Sequence, residues 1–281
     1  MTDGEEKQLA MMACKVRMGI IEATHGARSG HPGGSLSAAD MFTYLYFKEL
    51  NIDPENPRWE DRDRFILSKG HTAPGLYAAL ANRGFFPLSD LPTLRSIGSH
   101  LQGHPNMNST PGVDMSTGSL GQGVSAAAGM ALMARYQGKK CRIYTLLGDG
   151  EIQEGQPWEA FMFAHHYKLD NLCVIIDNNH LQIDGRVDEV MSPYPIPDKL
   201  RAFGFETAEI DGHDFRQMEQ AFRRAGSTKG VPFAIIMSTV KGKGVSFMED
   251  KAGWHGKAPN DEEYERAMAE LRARLAELEA V

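Results

Sequence analysis

Apolar residues in this chain recur first at helical spacing and later in short continuous runs. Over residues 5–25, Leu9, Met12, Val16 and Ile20 return every three or four positions, which predicts an amphipathic helix. The stretch Ser29-Gly30-His31-Pro32-Gly33-Gly34 breaks it, and a second helix is expected from about Ser37 to Leu50. Arg64-Phe65-Ile66-Leu67-Ser68 reads as a short strand ending in Lys69-Gly70-His71, with helices expected near 74–82 and 89–97. Residues 98–121 are rich in Gly, Pro, Ser and Thr. A loop of that length in a compact domain is usually functional or disordered. Gly121 to Gln137 then reads as a helix of small residues, whose Ser125-Ala126-Ala127-Ala128-Gly129 run would let another backbone approach closely.

From there a strand–helix alternation takes over. Ile143–Leu147, Leu172–Ile176, Phe205–Ile210 and Phe233–Val240 are apolar runs of strand length. Helical stretches from Pro157 to Tyr167 and from about Asp214 separate them, and Pro157 falls in a first turn, where its missing N–H costs little. Runs of this kind predict an α/β fold with a mostly parallel central sheet and helices on both faces. Residues 260–281 predict a C-terminal amphipathic helix. Asn260 and Glu263 have the spacing of a capping box, and Tyr264, Met268, Leu271, Leu275 and Leu278 form one apolar stripe. That stripe suits packing on the chain's own domain or a contact with another protein chain. No repeat, low-complexity segment or linker divides the chain, so residues 1–281 read as a single domain.

Composition narrows the classes. With 281 residues, 42% hydrophobic and 24% charged, the chain has an ordinary soluble globular make-up and is long enough to bury a core without disulfides or metal staples. Its 30 Lys+Arg against 37 Asp+Glu give a net charge of −7, which argues against a nucleic-acid partner. No apolar run approaches the roughly 20 residues that span a bilayer. The polar, acidic stretch from Met1 to Ala10 is not a signal peptide. No membrane partner is therefore expected. Cys14, Cys141 and Cys173 are odd in number and far apart, which excludes a disulfide framework and points to a reduced, cytoplasmic setting.

Candidate chemistry begins at Gly148-Asp149-Gly150, placed where ligands bind parallel sheets, beyond the carboxyl end of a strand. Alone this is more often a plain turn. The next strand ends in Asp177-Asn178-Asn179-His180-Leu181, with 28 residues between Gly150 and Asn179, enough for a loop, a helix and a strand. The Asp149 carboxylate, the Asn179 amide oxygen and the Leu181 carbonyl would then offer three hard oxygen ligands to Mg²⁺. Four of the ten histidines stand beside Gly or Pro in loops: His31, His71, His104 and His255. Any one alone is more simply a surface histidine; together they suggest imidazoles gathered around a phosphorylated, hydroxylated ligand. The remaining six, His25, His100, His165, His166, His180 and His213, are read as structural.

In order along the chain stand SGHPGG (29–34), DRDRFILSKGH (61–71), QGHP (102–105), STGSLGQG (116–123), LLGDGEIQEG (146–155), IIDNNHLQIDG (175–185), IDGHD (210–214) and KAGWHGKAP (251–259). With these motifs the chain resembles the N-terminal, diphosphate-binding half of the transketolase family. The resemblance implies a thiamine-diphosphate-binding fold and two cofactors, thiamine diphosphate and Mg²⁺, with Ca²⁺ or Mn²⁺ able to substitute. It implies Asp149, Asn179 and the Leu181 carbonyl as metal ligands. His71, Gly150 and His255 would contact the cofactor, as would Asn179, and Gly118-Ser119-Leu120 would hold its aminopyrimidine ring. His31, His104 and His255 would act on the sugar. Glu154 and Glu159 would lie beneath the cofactor, linking two active sites. The chain departs from the family's pattern at three points. Asn178 stands where Asp or Asn would fit, His180 replaces a smaller residue, and Trp254 stands where a second histidine would precede His255.

Members of that family are typically more than twice as long. The pyrimidine-binding domain, with the glutamate that contacts the aminopyrimidine, has no counterpart here. The chain is thus expected to be one subunit of a split transketolase, moving a two-carbon ketol group from a ketose, expected to be phosphorylated, to an aldose. A separately encoded C-terminal subunit would carry the pyrimidine domain, with two copies of each chain. Alternatives are an alpha-type subunit of a 2-oxo-acid dehydrogenase, a deoxyxylulose-phosphate-synthase-like enzyme, or a non-catalytic cofactor-binding subunit. The histidine loops suit polyhydroxy substrates and speak against the first.

Overall fold

A computed structural model describes residues 1–280. The elements run α1 (Asp3–Gly26), α2 (Pro32–Ser37), α3 (Ala39–Tyr44), β1 (Arg64–Leu67), α4 (Ala73–Arg83), α5 (Gly123–Tyr136), β2 (Ile143–Gly148), α6 (Gly155–His166), β3 (Leu172–Asn178), β4 (Leu181–Gln182), β5 (Gly185–Arg186), α7 (Val187–Val190), α8 (Ile196–Ala202), β6 (Glu206–Asp211), α9 (Phe215–Ser227), β7 (Phe233–Ser238) and α10 (Asp261–Ala280). Five strands form one parallel sheet in the order β1-β2-β3-β7-β6.

Successive side chains of a strand point to opposite faces, and this explains the continuous apolar runs. In β3, Cys173 and Ile175 enter one core while Leu172, Val174 and Ile176 enter the other. The first core is roofed by α1 to α4, α9 and α10, the second by α5, α6 and α8. The α/β architecture expected from the runs is therefore present. At the sheet edge, β6 is only partly buried, unlike the central strands.

Three expectations need correction. The second helix begins at Pro32, not near Ser37, and is divided at Ala38 before a π-helical turn at Leu45–Glu49. Pro32 takes the first helical position, and tertiary packing rather than propensity selects the two glycines after it. A Cβ at Gly33 would lie 2.8 Å from the Trp254 carbonyl oxygen, and one at Gly34 2.9 Å from the Thr72 methyl. The helix expected near 89–97 is a 3₁₀ turn, Leu88–Thr93, because Pro92 lies inside it. The β4–β5 hairpin, α7 and α8 have no counterpart in the sequence reading, the last being hidden among three prolines.

The C-terminal helix forms as expected. The Asn260 side chain accepts from the Glu263 N–H at 2.8 Å, and the Glu263 carboxylate accepts from the Asn260 N–H at 2.9 Å. Its Met268 and Leu271 are buried in the core shared with α1 and Tyr264 packs against it, so this part of the stripe packs on its own chain, while Leu275 and Leu278 are half-buried. All three cysteines are free and buried. Among the described residues, no helix is long and apolar enough to cross a membrane.

Candidate active site

Beyond the carboxyl ends of β2 and β3 lies a cavity of about 360 Å³. Its walls bring together residues from seven separate segments, among them His31, His71, Gly118, Asp149, Asn179, Lys241 and His255. A groove of about 410 Å³ at the start of α1, between Leu9, Met12 and Phe47, has no comparable convergence of polar groups.

Asp149 follows β2 directly. Its carboxylate accepts from the Gly150 N–H at 2.9 Å and from the His180 N–H at 2.6 Å. His180 reaches that position with a left-handed backbone, φ 62°. The neighbouring asparagines separate cleanly. Asn179 faces the cavity, whereas the Asn178 side chain turns away and accepts from the Tyr194 hydroxyl at 2.9 Å. The Leu181 carbonyl accepts from the Lys241 ammonium at 2.9 Å. One carboxylate, one amide oxygen and one carbonyl thus meet at the strand ends. Burial first, and then the charge of Asp177, push Asp149 up to about 7, so the ionised carboxylate has too little favourable interaction within the chain. A hard dication relieves that, and this donor set suits Mg²⁺ with a diphosphate completing its shell. Among the described residues, no group of three or more His, Cys, Asp and Glu forms a different metal centre.

Two lysines line the same cavity, both nearly inaccessible to solvent. Lys69 pairs with the fully buried Asp177, which also accepts from the Ser37 hydroxyl at 2.6 Å. Burial opposes the Asp177 charge, but Lys69 holds its carboxyl below the usual range. Lys241 has no carboxylate of its own and donates to His255 Nδ1 at 2.8 Å. Burial, then Lys69, bring it down to about 8. Glu151 closes the floor, accepting from the Ser68 hydroxyl at 2.6 Å, the Gly121 N–H at 2.9 Å and the Gly148 N–H at 3.0 Å. These four residues escape a reading of the sequence. A buried lysine looks like a surface lysine in composition, although Lys69 stands inside one of the motifs given above.

Three of the four loop histidines gather as expected. Ring centroids of His31, His71 and His255 lie 5.2 to 5.5 Å apart. His104 stands behind Gly118, where a Cβ would meet its ring at 3.0 Å, and is not among the residues that line the cavity. Burial first, then Arg95, hold His31 at about 4; burial and then Lys241 hold His255 at about 3. His71 lies well below its ordinary value through burial and Lys69. The imidazoles are therefore neutral near pH 7. Because Lys241 donates to its Nδ1, His255 carries its proton on Nε2. His31 Nδ1 is buried with no hydrogen-bond partner among the described residues, an orphan that a ligand group in the cavity would satisfy. One expected cofactor contact and one residue expected beneath the cofactor sit elsewhere: Ser119 lines an adjoining depression and Glu159 is exposed outside the cavity, while Leu120 and Glu154 lie on its wall.

These shifts predict an acid sensitivity. In the unfolded chain an imidazole protonates near 6.5, whereas folded His31 and His255 resist down to about 4 and 3. The unfolded state then binds more protons over that window, so stability present above pH 6.5 is lost as pH falls towards 4. Thermal melts from pH 7 to 4 should show the decline, and a His31→Asn, His255→Asn double variant should decline less steeply. Parallel curves would remove these histidines from the effect.

A parallel α/β sheet whose strand ends offer hard oxygen ligands, two buried lysines and neutral imidazoles defines a domain that binds a diphosphate-bearing cofactor. Residues 8–275 match the family described as "Transketolase, thiamine diphosphate binding domain". The chain is 48% identical over 242 residues to the 6-deoxy-6-sulfo-D-fructose transketolase subunit SqwG of Clostridium sp. (strain MSTE9), covering 86% of this chain and 88% of that one. It is 41% identical to an apulose-4-phosphate transketolase subunit of Phocaeicola vulgatus, covering 96% of each. The solved transketolase of Campylobacter jejuni aligns with a TM-score of 0.88 at 32% identity, over 96% of this chain and 45% of that one. The chain belongs to the transketolase family and is a transketolase subunit of the N-terminal, thiamine-diphosphate-binding type. It spans less than half of the solved transketolase chain.

Proposed function

We propose that this chain is the diphosphate-binding subunit of a two-chain, cytoplasmic transketolase, which moves a two-carbon ketol group from an anionic ketose to an aldose. The observation that carries the reading is the convergence of Asp149, Asn179 and the Leu181 carbonyl with neutral His31, His71 and His255 in one cavity. Thiamine diphosphate, when bound, supplies the carbanion chemistry that breaks and forms the carbon–carbon bond. Asp149, Asn179 and Leu181 would hold Mg²⁺; His71, Gly150 and Lys241 would face the diphosphate; Gly118, Ser119 and Leu120 would border the ring. Neutral His31 is a proton acceptor for a sugar hydroxyl, and His255, protonated on Nε2, is a donor at a sugar oxygen. His104, held against Gly118, would orient the terminal hydroxyl.

Both of these relatives are named for ketoses with an anionic tail, a sulfonate or a phosphate, which favours such a substrate here. Their designation as subunits supports a partner chain. That partner would carry the pyrimidine domain, in an assembly with two copies of each chain. His31→Ala and His104→Ala test the reading. Each should leave thiamine diphosphate affinity unchanged by calorimetry while lowering ketose-to-aldose transfer by roughly 10²-fold. Unchanged transfer in both variants would return the histidines to a packing role.

A further inference from the structure

The IDGHD segment takes no part in the cavity, yet His213 within it belongs to a buried polar cluster on the far side of Lys241. Arg17 of α1 donates through Nη1 and Nη2 to the two oxygens of Asp40 in α3, at 2.9 and 2.5 Å. Both side chains are only 7% exposed. Burial works against the Asp40 charge, but Arg17, ahead of His213, outweighs it and holds the carboxyl at about 2. His213 Nδ1 lies 2.7 Å from Asp40 Oδ2, and its Nε2 accepts from the Val240 N–H at 2.9 Å. The accepting Nε2 places the imidazole proton on Nδ1, pointing at Asp40.

What the cluster holds is one short piece of backbone. His213 takes the N–H of Val240, and Arg17 Nε donates to the carbonyl of Lys243 at 2.9 Å. The two contacts lie on either side of Lys241. Between them, the Gly242 N–H donates to the Gly33 carbonyl at 2.9 Å, with φ 81°. A Cβ at Gly242 would lie 2.4 Å from the Met248 carbonyl oxygen, so no other residue fits. The Lys241 carbonyl in turn accepts from the Asp250 N–H at 2.9 Å. The backbone of 240–243 is thus fixed at four points, and the Lys241 side chain extends into the cavity to the Leu181 carbonyl and His255.

We infer that Arg17, Asp40 and His213 are positioning residues that aim the Lys241 ammonium at the anion-binding end of the cavity. A buried ion pair is weak evidence for net stability, since apolar side chains of similar volume often serve as well. Apolar side chains cannot, however, take an N–H at 240 and give a donor to a carbonyl at 243. The bonding pattern is explained by the backbone it orients. The inference rests on the proposed function in one respect, that Lys241 faces a bound diphosphate.

Two substitutions of one residue separate aim from packing. In His213→Gln the amide oxygen can reach the Nε2 position and keep the Val240 contact while losing Asp40. In His213→Asn the shorter amide can reach the Nδ1 position and keep Asp40 while losing Val240. Thiamine diphosphate is titrated calorimetrically, with Mg²⁺ present, into the full chain and into these variants, Lys241→Met and the His213→Asn, Lys241→Met double variant. Melting temperatures are recorded alongside. His213→Asn should weaken binding about tenfold, His213→Gln by less than about threefold, with similar falls in Tm. The double variant should bind no worse than Lys241→Met, because nothing is left to aim; independent effects would instead add. Additive losses, or equal losses in the two His213 variants, would overturn the inference while leaving the proposed function standing. Wild-type affinity in Lys241→Met, or no binding by the unaltered chain, would overturn both the diphosphate role of Lys241 and the inference built on it.

Discussion

Replacing Asp149 by alanine should lower thiamine-diphosphate-dependent ketol transfer at least a hundredfold. Asp149 is the only carboxylate in the proposed metal donor set; the others are an amide and a carbonyl. Without it, no carboxylate remains in the proposed donor set to balance a dication, and the Gly150 and His180 N–H groups lose their acceptor. The size of the loss matches the removal of a major electrostatic contact to a transition state, about 10²-fold or more. Asp149→Asn keeps the volume and part of the hydrogen bonding, so it separates loss of charge from loss of packing. Both variants should need far more Mg²⁺ for half-maximal activity, and both should melt as cooperative folded proteins. Near-wild-type transfer by Asp149→Ala at limiting Mg²⁺ would sink the metal assignment.

The second large effect concerns assembly. Purified alone, the chain should fold, bind thiamine diphosphate weakly and show no ketol transfer. Mixed with a partner chain that carries the pyrimidine domain, it should form a symmetric assembly, two of each chain, and become active. The cavity explains why. Its walls supply ligands for the diphosphate end, but they also carry exposed apolar side chains, Leu120 at 40% and Ile183 at 64% exposure. Met133 and Tyr136 on α5, Met162 and Phe163 on α6, and Tyr167 just after it are exposed as well. Large apolar side chains left exposed on two neighbouring helices suit an interface. A ligand with half of its contacts binds far more weakly, since each 1.4 kcal/mol lost costs tenfold in affinity. Gel filtration with a coupled assay on the lone chain and the mixture decides the matter. Full turnover by the 281-residue chain alone would show that the partner's contribution is unnecessary.

Much of the fold was legible in the sequence. Apolar runs with no polar alternation gave away strands buried on both faces, because alternate residues of β2, β3 and β7 feed two cores. The Asn260–Glu263 cap announced α10 from local chemistry alone. Less legible were elements whose cause is distant. Gly33 and Gly34 look like helix breakers, yet they lie inside α2 because Trp254 and Thr72 leave no room for a Cβ.

The same division runs through the candidate site. Residue type and order pointed to Asp149, to the Asn178–Asn179 pair and to the four loop histidines, because hard oxygen donors at strand ends and imidazoles beside glycine suit a phosphorylated ligand and its metal. Only tertiary structure separated Asn179 from Asn178, by giving the latter to Tyr194. Only tertiary structure showed that Lys69 and Lys241 are buried, that Ser119 and Glu159 stand outside the cavity, and that His213, read as structural, orients the backbone around Lys241. The physical reason is the same in each case. Local sequence sets which bonds a residue can make, but burial, charge neighbours and the aim of a side chain come from segments as far apart as Arg17 and Lys243, and those meet only in the folded chain.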